Sequence, residues 1–122
     1  MRSRATAVIF RDKKVLLVRD KGKEKFSLPG GANKANEPTV SAAAREVFEE
    51  LGLHVVKVTR LHDCDFKGSF NEHRVCLIEV KGEPYLKGHE LDAWFWWDMQ
   101  ETIPLYDHVL IVLNKVKSHL QF

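Results

Sequence analysis

Apolar residues gather in two short runs near the start of the chain, TAVIF (6 to 10) and KVLLV (14 to 18), separated by the charged stretch RDKK. Such runs broken by a polar turn predict a strand hairpin, and the near-continuous apolar run of the second strand predicts burial on both faces. A loop rich in Gly, Asn, Lys and Pro follows, RDKGKEKFSLPGGANKANEP. After it, TVSAAAREVFEEL (39 to 51) has the Ala, Glu and Leu content of a helix, with Pro38 and Thr39 at its start and Gly52 as its stop. HVVKVTRLHDCDF and HRVCLIEV predict two further strands joined by a Gly/Ser/Asn turn at 68 to 71, and AWFWW (93 to 97) predicts a short aromatic one. Past Pro104, DHVLIVLNKVKSHL carries a helical stripe at Val109, Leu113 and Val116, with Leu110 and Leu120 at its flank. Strands and helices interleave through mostly hairpin-length connections, so the expected fold class is α/β, a mixed sheet with helices packed on it.

Composition narrows this further. A chain of 122 residues is the size of one domain, 1–122, and its 44% hydrophobic content suffices for a core without staples. Nineteen Lys and Arg against seventeen Asp and Glu leave a net charge of +2, spread along the chain. That balance calls for neither nucleic acid nor an anionic membrane as partner. Cys64 and Cys76 have no CxxC partner and no metal-ligand spacing, and read as buried thiols in a reducing compartment. The charged N-terminal stretch does not read as a signal peptide, and no apolar run approaches the roughly 20 residues of a membrane span. The expected location is the cytoplasm.

The helix over 39 to 51 holds the chemistry. At about 100° per residue and with Arg45 as zero, Glu49 falls near 40°, Glu46 near 100° and Glu50 near 140°. Val47, Val40, Leu51, Ala44 and Phe48 fall between about 200° and 300°, which predicts carboxylates on one side and an apolar stripe on the other. Glu46 with Glu49, and Glu46 with Glu50, are like-charge neighbours that each cost a few tenths of a kcal/mol, and no Lys follows at i+4 to relieve them. A merely solubilising face would interleave signs. Carboxylates converging within one turn suit a hard divalent cation such as Mg²⁺, which takes oxygen ligands.

The residues around this helix extend the pattern. Gly31, Glu37, Arg45, Glu46, Val47, Glu49, Glu50, Gly52 and Leu53 match the Nudix box, GX5EX7REUXEEXGU with U aliphatic, at every defined position. The order of hairpin, LPGG loop, box helix, strands and terminal helix is also similar to that of small MutT-type Nudix hydrolases. This resemblance implies an α/β/α sandwich and Mg²⁺- or Mn²⁺-dependent hydrolysis of a nucleoside diphosphate linked to another group. It implies Glu49 and Glu50 as principal metal ligands, and Glu46 as a further ligand or the group that handles the attacking water's proton. Arg45 would orient a box glutamate, pairing with Glu37, and the backbone carbonyl of Gly30 would be a metal ligand. The double glycine then lets bare backbone approach the ion.

An acid from a later loop completes the metal site in many relatives, and Glu90 is the favoured candidate among Glu72, Glu83, Glu90 and Asp92. Arg19, at the end of the second strand, is the candidate phosphate ligand, with Lys21, Lys23 and Lys25 nearby. Phe66, Phe70, Trp94 and Trp96 are candidates for stacking a base. Strand alternation puts Trp94 and Trp96 on one face, and Phe95 and Trp97 on the other. His62 and His73 read as ordinary strand-end polar residues. Accessory signatures of the ADP-ribose, dinucleoside polyphosphate, coenzyme A and NADH enzymes are missing, which leaves a nucleoside or deoxynucleoside triphosphate as the leading substrate. Hydrolysis of ADP-ribose, another nucleotide sugar or a dinucleoside polyphosphate is the alternative, as is a non-catalytic nucleotide-sensing module. A homodimer is a further expectation, since many relatives dimerise.

Overall fold

The computed structural model describes residues 1–120. β1 (Arg2–Arg11) and β2 (Lys14–Asp20) form the expected hairpin, turned by Asp12 and Lys13, both at positive φ (51° and 64°). Consecutive positive φ values are those of the type I′ turn that matches strand twist. The two strands pair only beside that turn, at Phe10↔Val15 and Arg11↔Lys14, and then part. Segment 26 to 32 enters the gap. Val18 and Ser27 exchange backbone hydrogen bonds, Ala7 donates to the Pro29 carbonyl at 2.8 Å, and β3 (Gly30–Ala32) pairs with Arg4 to Thr6 of β1. The loop expected around LPGG is thus in part a strand, wedged into the sheet.

α1 (Thr39–Leu51) follows, then β4 (His54–Arg60), β5 (Phe66–Lys67), β6 (Asn71–Lys81), β7 (Leu91–Trp97) and α2 (Asp107–Val116). The long strand expected over 54 to 66 is broken: a 3-10 turn at His62–Cys64 separates β4 from β5, and both pair antiparallel with β6. The Arg60 guanidinium forks onto Asp65 at 2.7 and 2.8 Å, and Asp65 accepts from the Val75 N–H, which holds the break closed. The strand order is β4-β6-β1-β2-β7, with β1 and β6 parallel over Arg2 to Ile9, so the sheet is mixed as expected.

Each face of the sheet is covered by one helix, which makes the α/β/α sandwich. Ala5, Ala7, Ile9, Leu16, Val18 and Ile78 pack beneath Ala43, Val47 and Leu51 of α1. Val8, Val15, Leu17, Val75 and Trp97 pack beneath Val109, Val112 and Val116 of α2. The period-two alternation along β1 and β2 therefore feeds two cores, and β2 is buried on both sides as its composition predicts. The aromatic strand serves both: Trp96 borders the α1 core, while Phe95 and Trp97 join the α2 core. Cys64 and Cys76 are free, buried and in different cores. Among the described residues, no helix is long and apolar enough to cross a membrane.

Candidate active site

Pro38, extended at ψ 142°, caps α1 by accepting from the Ala42 N–H at 3.0 Å, and the helix stops at Gly52, whose left-handed φ of 65° lets its N–H reach the Phe48 carbonyl at 2.9 Å. The segment before β7 folds over this end. Tyr85 N–H donates to Leu51 at 3.0 Å and Lys87 N–H to Glu50 at 3.1 Å, satisfying carbonyls that a helix terminus leaves open.

The carboxylates do not stand opposite the packed stripe. Ala42 and Ala43 are fully buried, and on the helical wheel they fall near about 60° and 160°, on either side of Glu46 and Glu50. Two alanines, lacking bulk, let the buried surface extend round the helix and carry Glu46 and Glu50 in at its rim. Phe48, expected in the stripe, is 43% exposed, with the Lys87 ammonium 3.4 Å above its ring.

Arg45 organises the box. Its Nε and Nη2 donate to the two oxygens of Glu37 at 2.8 and 3.0 Å, and Nη1 donates to Glu46 at 2.8 Å and to Glu49 at 3.2 Å. Nη2 also donates to the Ala32 carbonyl at 3.3 Å, which ties the end of β3 to the helix. The Arg45 hydrogen bonds, helped by the Lys34 N–H, hold the Glu37 carboxyl down to about 2, and Glu37 in turn raises the Arg45 guanidinium.

A cleft of about 630 Å³ opens beside these groups, walled by Gly30, Gly31, Glu46, Glu50, Glu90, Asp20 and Arg4. The glycines set its shape. A Cβ on Gly31 would overlap the Glu46 carboxyl group, and one on Gly30, at φ 145°, would overlap the Ala5 carbonyl. Of the four later acids, Glu72, Glu83 and Asp92 are ion-paired to Arg74, Arg11 and Arg19 outside this cleft, and Glu90 lies in its wall. Asp20 is a further acid there, one that the sequence did not single out because it stands alone at a strand end.

The donor set fits a divalent cation. Oε2 of Glu50 is buried without a hydrogen-bond partner, and burial, then the negative charges of Glu90, Glu46, Glu49 and Asp20, push the Glu50 carboxyl upward. A buried, unpaired carboxylate oxygen among like charges is costly unless a cation balances it. Glu49 is about half exposed and pairs with Arg45 at 3.2 Å outside the cleft wall. A separate group of three metal-type donors, Asp63, Cys64 and His119, lies outside the cleft, with His119 hydrogen-bonded to Asp63.

A second cleft of about 390 Å³ adjoins the first and shares Arg4, Asp20 and Asn71 with it. Phe66, His73, His108 and Tyr106 stand in a near-parallel row along it, with ring centroids 6.2, 4.3 and 6.2 Å apart. Phe70, 84% exposed, forms its rim. Thr6 Oγ1 lies 2.8 Å from His73 Nδ1, and the Leu28 N–H donates to His108 Nε2 at 3.4 Å. Burial pushes His73 down to about 4 and His108 down to about 3, so both rings are neutral at pH 7. His73, expected to be an ordinary polar residue, is thus part of the cleft's base, a role that no local spacing signals.

The structure therefore brings Glu46, Glu50, Gly30 and Glu90 to one cleft and Phe66 and Phe70 to the next, while Arg45 and Glu49 connect to the first only through the Arg45–Glu46 hydrogen bond. Arg19 and Trp94 lie outside both. The Arg19 Nε donates to Asp92 at 2.9 Å with its guanidinium over the Phe26 ring, and Trp94, opposite Val18 on the α1 side of β7, lines neither cleft. Strand alternation at the end of β2 turns Arg19 away from the cleft and leaves Asp20 to face it.

An acid-walled cleft on an α/β/α sandwich, with a helix that presents carboxylates at a glycine loop, defines a phosphoanhydride hydrolase of the Nudix type. The comparisons agree: the NUDIX domain model matches residues 1–113, and the chain belongs to that family, whose members are pyrophosphohydrolases acting on phosphorus-containing anhydrides and generally use divalent metal ions. A Nudix hydrolase family member from Chromobacterium violaceum superposes with a TM-score of 0.82 at 26% identity, over 97% of this chain and 78% of that one. A MutT NUDIX hydrolase from Burkholderia pseudomallei gives 0.77 at 27% identity, over 94% and 97%. An ADP-ribose pyrophosphatase from Streptococcus suis shares the fold, at 0.76 and 21% identity, over 99% and 94%. None of the curated proteins matches the chain in sequence.

Proposed function

We propose that this protein hydrolyses a nucleoside or deoxynucleoside triphosphate at a pyrophosphate bond, with Mg²⁺ as its cofactor and Mn²⁺ as a substitute. The observation that carries this reading is the junction of two clefts: an acidic one holding Glu46, Glu50 and Glu90, and an aromatic one holding Phe66 and Phe70, sized together for a phosphate chain and a base. The 27% identity to a MutT NUDIX hydrolase supports it. The complete set of box carboxylates favours catalysis over a sensing module.

Glu49, Glu50, Glu90 and the Gly30 carbonyl are the groups that would hold the cation, and of the two roles open to Glu46, further ligand or proton acceptor, its hydrogen bond to Arg45 favours the second. Bound there, it would neutralise phosphate oxygens and acidify water. Glu46 keeps its Oε1 on Arg45, which leaves Oε2 to accept the proton of the attacking water as the oxygen–phosphorus bond forms. The P–O bond to the departing phosphate breaks in the same displacement. Arg45 keeps the Glu46 carboxylate aimed, and the aromatic cleft takes the base. The protein would act as a single cytoplasmic domain on a small molecule, without nucleic acid or membrane, as a monomer or homodimer.

The test is a panel of nucleoside and deoxynucleoside triphosphates, ADP-ribose, a nucleotide sugar and a dinucleoside polyphosphate, assayed for phosphate and pyrophosphate release with Mg²⁺ and with Mn²⁺. Preferred turnover of a triphosphate is the expected result. Preferred turnover of another compound replaces the substrate, and tight binding with no turnover replaces catalysis by sensing.

A further inference from the structure

Arg4 is the cation that the two clefts have in common. Along β1 it alternates with Ala5 and Ala7, which sink into the α1 core, so Arg4 and Thr6 share the other side. Its Nη2 donates to the Leu28 carbonyl at 3.1 Å, and the same residue's N–H donates to His108, so one peptide segment anchors both the guanidinium and the ring wall. Among the described residues only Arg4 and the exposed Arg2 make no ion pair, whereas Arg11, Arg19, Arg45, Arg60 and Arg74 each have a carboxylate partner, and of the two only Arg4 lines both clefts. The acids near it, Asp20, Glu46 and Glu90, act on it from beyond contact, against the cost of its burial. A half-buried arginine with most of its donor fork uncommitted is arranged for an anion that the chain itself does not supply.

We propose that Arg4 is the clamp for the phosphate that joins the nucleoside to the scissile anhydride, a binding role on which nucleotide recognition at this junction depends. The inference rests on the function proposed above. Any molecule with its base in the aromatic cleft and its anhydride in the acidic one must pass Arg4, and the group that spans those two parts of a nucleotide is a phosphate ester. The competing role is internal: Arg4 as counter-charge to the acidic wall, in which case it would govern metal binding and not phosphate binding.

Two probes, the non-hydrolysable α,β-methylene analogue of ATP and inorganic tripolyphosphate, would be titrated in the presence of Mg²⁺ into the wild-type protein and into Arg4→Ala, Arg4→Met and Arg4→Lys. Loss of a charge-assisted hydrogen bond to phosphate should weaken both probes by roughly tenfold or more in Arg4→Ala and Arg4→Met, with Arg4→Lys recovering part of the loss. The Mg²⁺ concentration that half-saturates the thermal shift of the nucleotide-free protein should not change. Arg4→Met keeps the aliphatic bulk and serves if Arg4→Ala fails to fold. Unchanged probe affinity in a folded variant overturns the proposal, as does a wild-type protein that binds neither probe, or a shift in Mg²⁺ half-saturation with probe affinity intact. If wild type binds tripolyphosphate through Arg4 yet turns over no nucleotide, the proposed function fails and the clamp stands.

Discussion

The Arg45 guanidinium grips both oxygens of Glu37, at 2.8 and 3.0 Å, while its remaining nitrogen holds Glu46 at 2.8 Å. Glu37 closes the loop after β3, so this fork joins the glycine loop to the helix. Lys has no such fork. Arg45→Lys should therefore lower kcat by roughly 10- to 100-fold, the usual cost of losing a group that orients a metal-site ligand. Glu37→Gln should have an effect in the same direction. Steady-state kinetics at saturating metal check this, and near-normal turnover in both variants would refute it. Glu37 also titrates usefully: its carboxyl lies near 2 when folded against 4.5 ordinarily, so its contribution to stability is complete above about pH 4.5 and fades as pH falls toward 2.

Gly31 and Gly30 are adjacent but should fail differently. A Cβ at Gly31 meets the Glu46 carboxyl group, a side chain that can swing aside, so Gly31→Ala should keep its melting temperature within a few degrees and lose at least about tenfold in kcat. A Cβ at Gly30 meets the backbone of β1, at a φ that L-residues rarely adopt, so Gly30→Ala should lose about 1–3 kcal/mol of stability. Thermal melts run beside activity assays separate the two.

Glu50 carries a buried, unpaired oxygen among four other acids. Glu50→Gln removes that charge, so it should raise the melting temperature in EDTA while turnover falls by at least about tenfold. A variant no more stable than wild type without metal would refute the electrostatic reading. Glu46→Gln is the companion test: if it retained near-normal turnover at saturating Mg²⁺, Glu46 would not be the proton acceptor.

His73 and His108 are held neutral, near 4 and 3, against about 6.5 in an unfolded chain. The unfolded chain thus binds protons that the folded one refuses. Their contribution to stability is complete above about pH 6.5 and is lost progressively as pH falls toward 4 and then 3. Urea midpoints at pH 7.5, 6 and 5 should decline in that order, and His108→Phe should flatten the decline.

Phe70 stands 84% exposed at the rim of the aromatic cleft and supports no core cluster. Phe70→Ala should leave stability within about 0.5 kcal/mol of wild type, as surface changes do. Loss of one base-stacking contact, about 1–3 kcal/mol, should raise KM for the nucleotide by roughly five- to 150-fold. An unchanged KM would remove Phe70 from the substrate site.

Much of this was readable along the chain because it is local. The limits of α1 follow from Pro38 and Gly52, whose backbone preferences act within one residue, and the box residues are spaced by helix and loop geometry. The break at His62–Cys64 was not readable, because LHDCDF holds no Gly or Pro to signal it and the Arg60–Asp65 pair that stabilises it looks like ordinary surface charge. The wheel also misled in one respect. It ranks residues by polarity, so it placed Glu46 and Glu50 opposite the core, whereas burial of Ala42 and Ala43 set them at its edge.

The sequence by itself determined the box helix and its limits, the family, and which carboxylates belong together, since each depends on residues close in the chain. Tertiary structure alone decided that Arg19 is tied up elsewhere, that Arg4 and Asp20 stand where the clefts meet, and that His73 lines the second cleft, and it put Glu90, the favoured later acid, in the wall of the first. Those outcomes depend on strand alternation and on the wedge of segment 26 to 32 between β1 and β2, which bring together residues as far apart as Arg4 and Glu90.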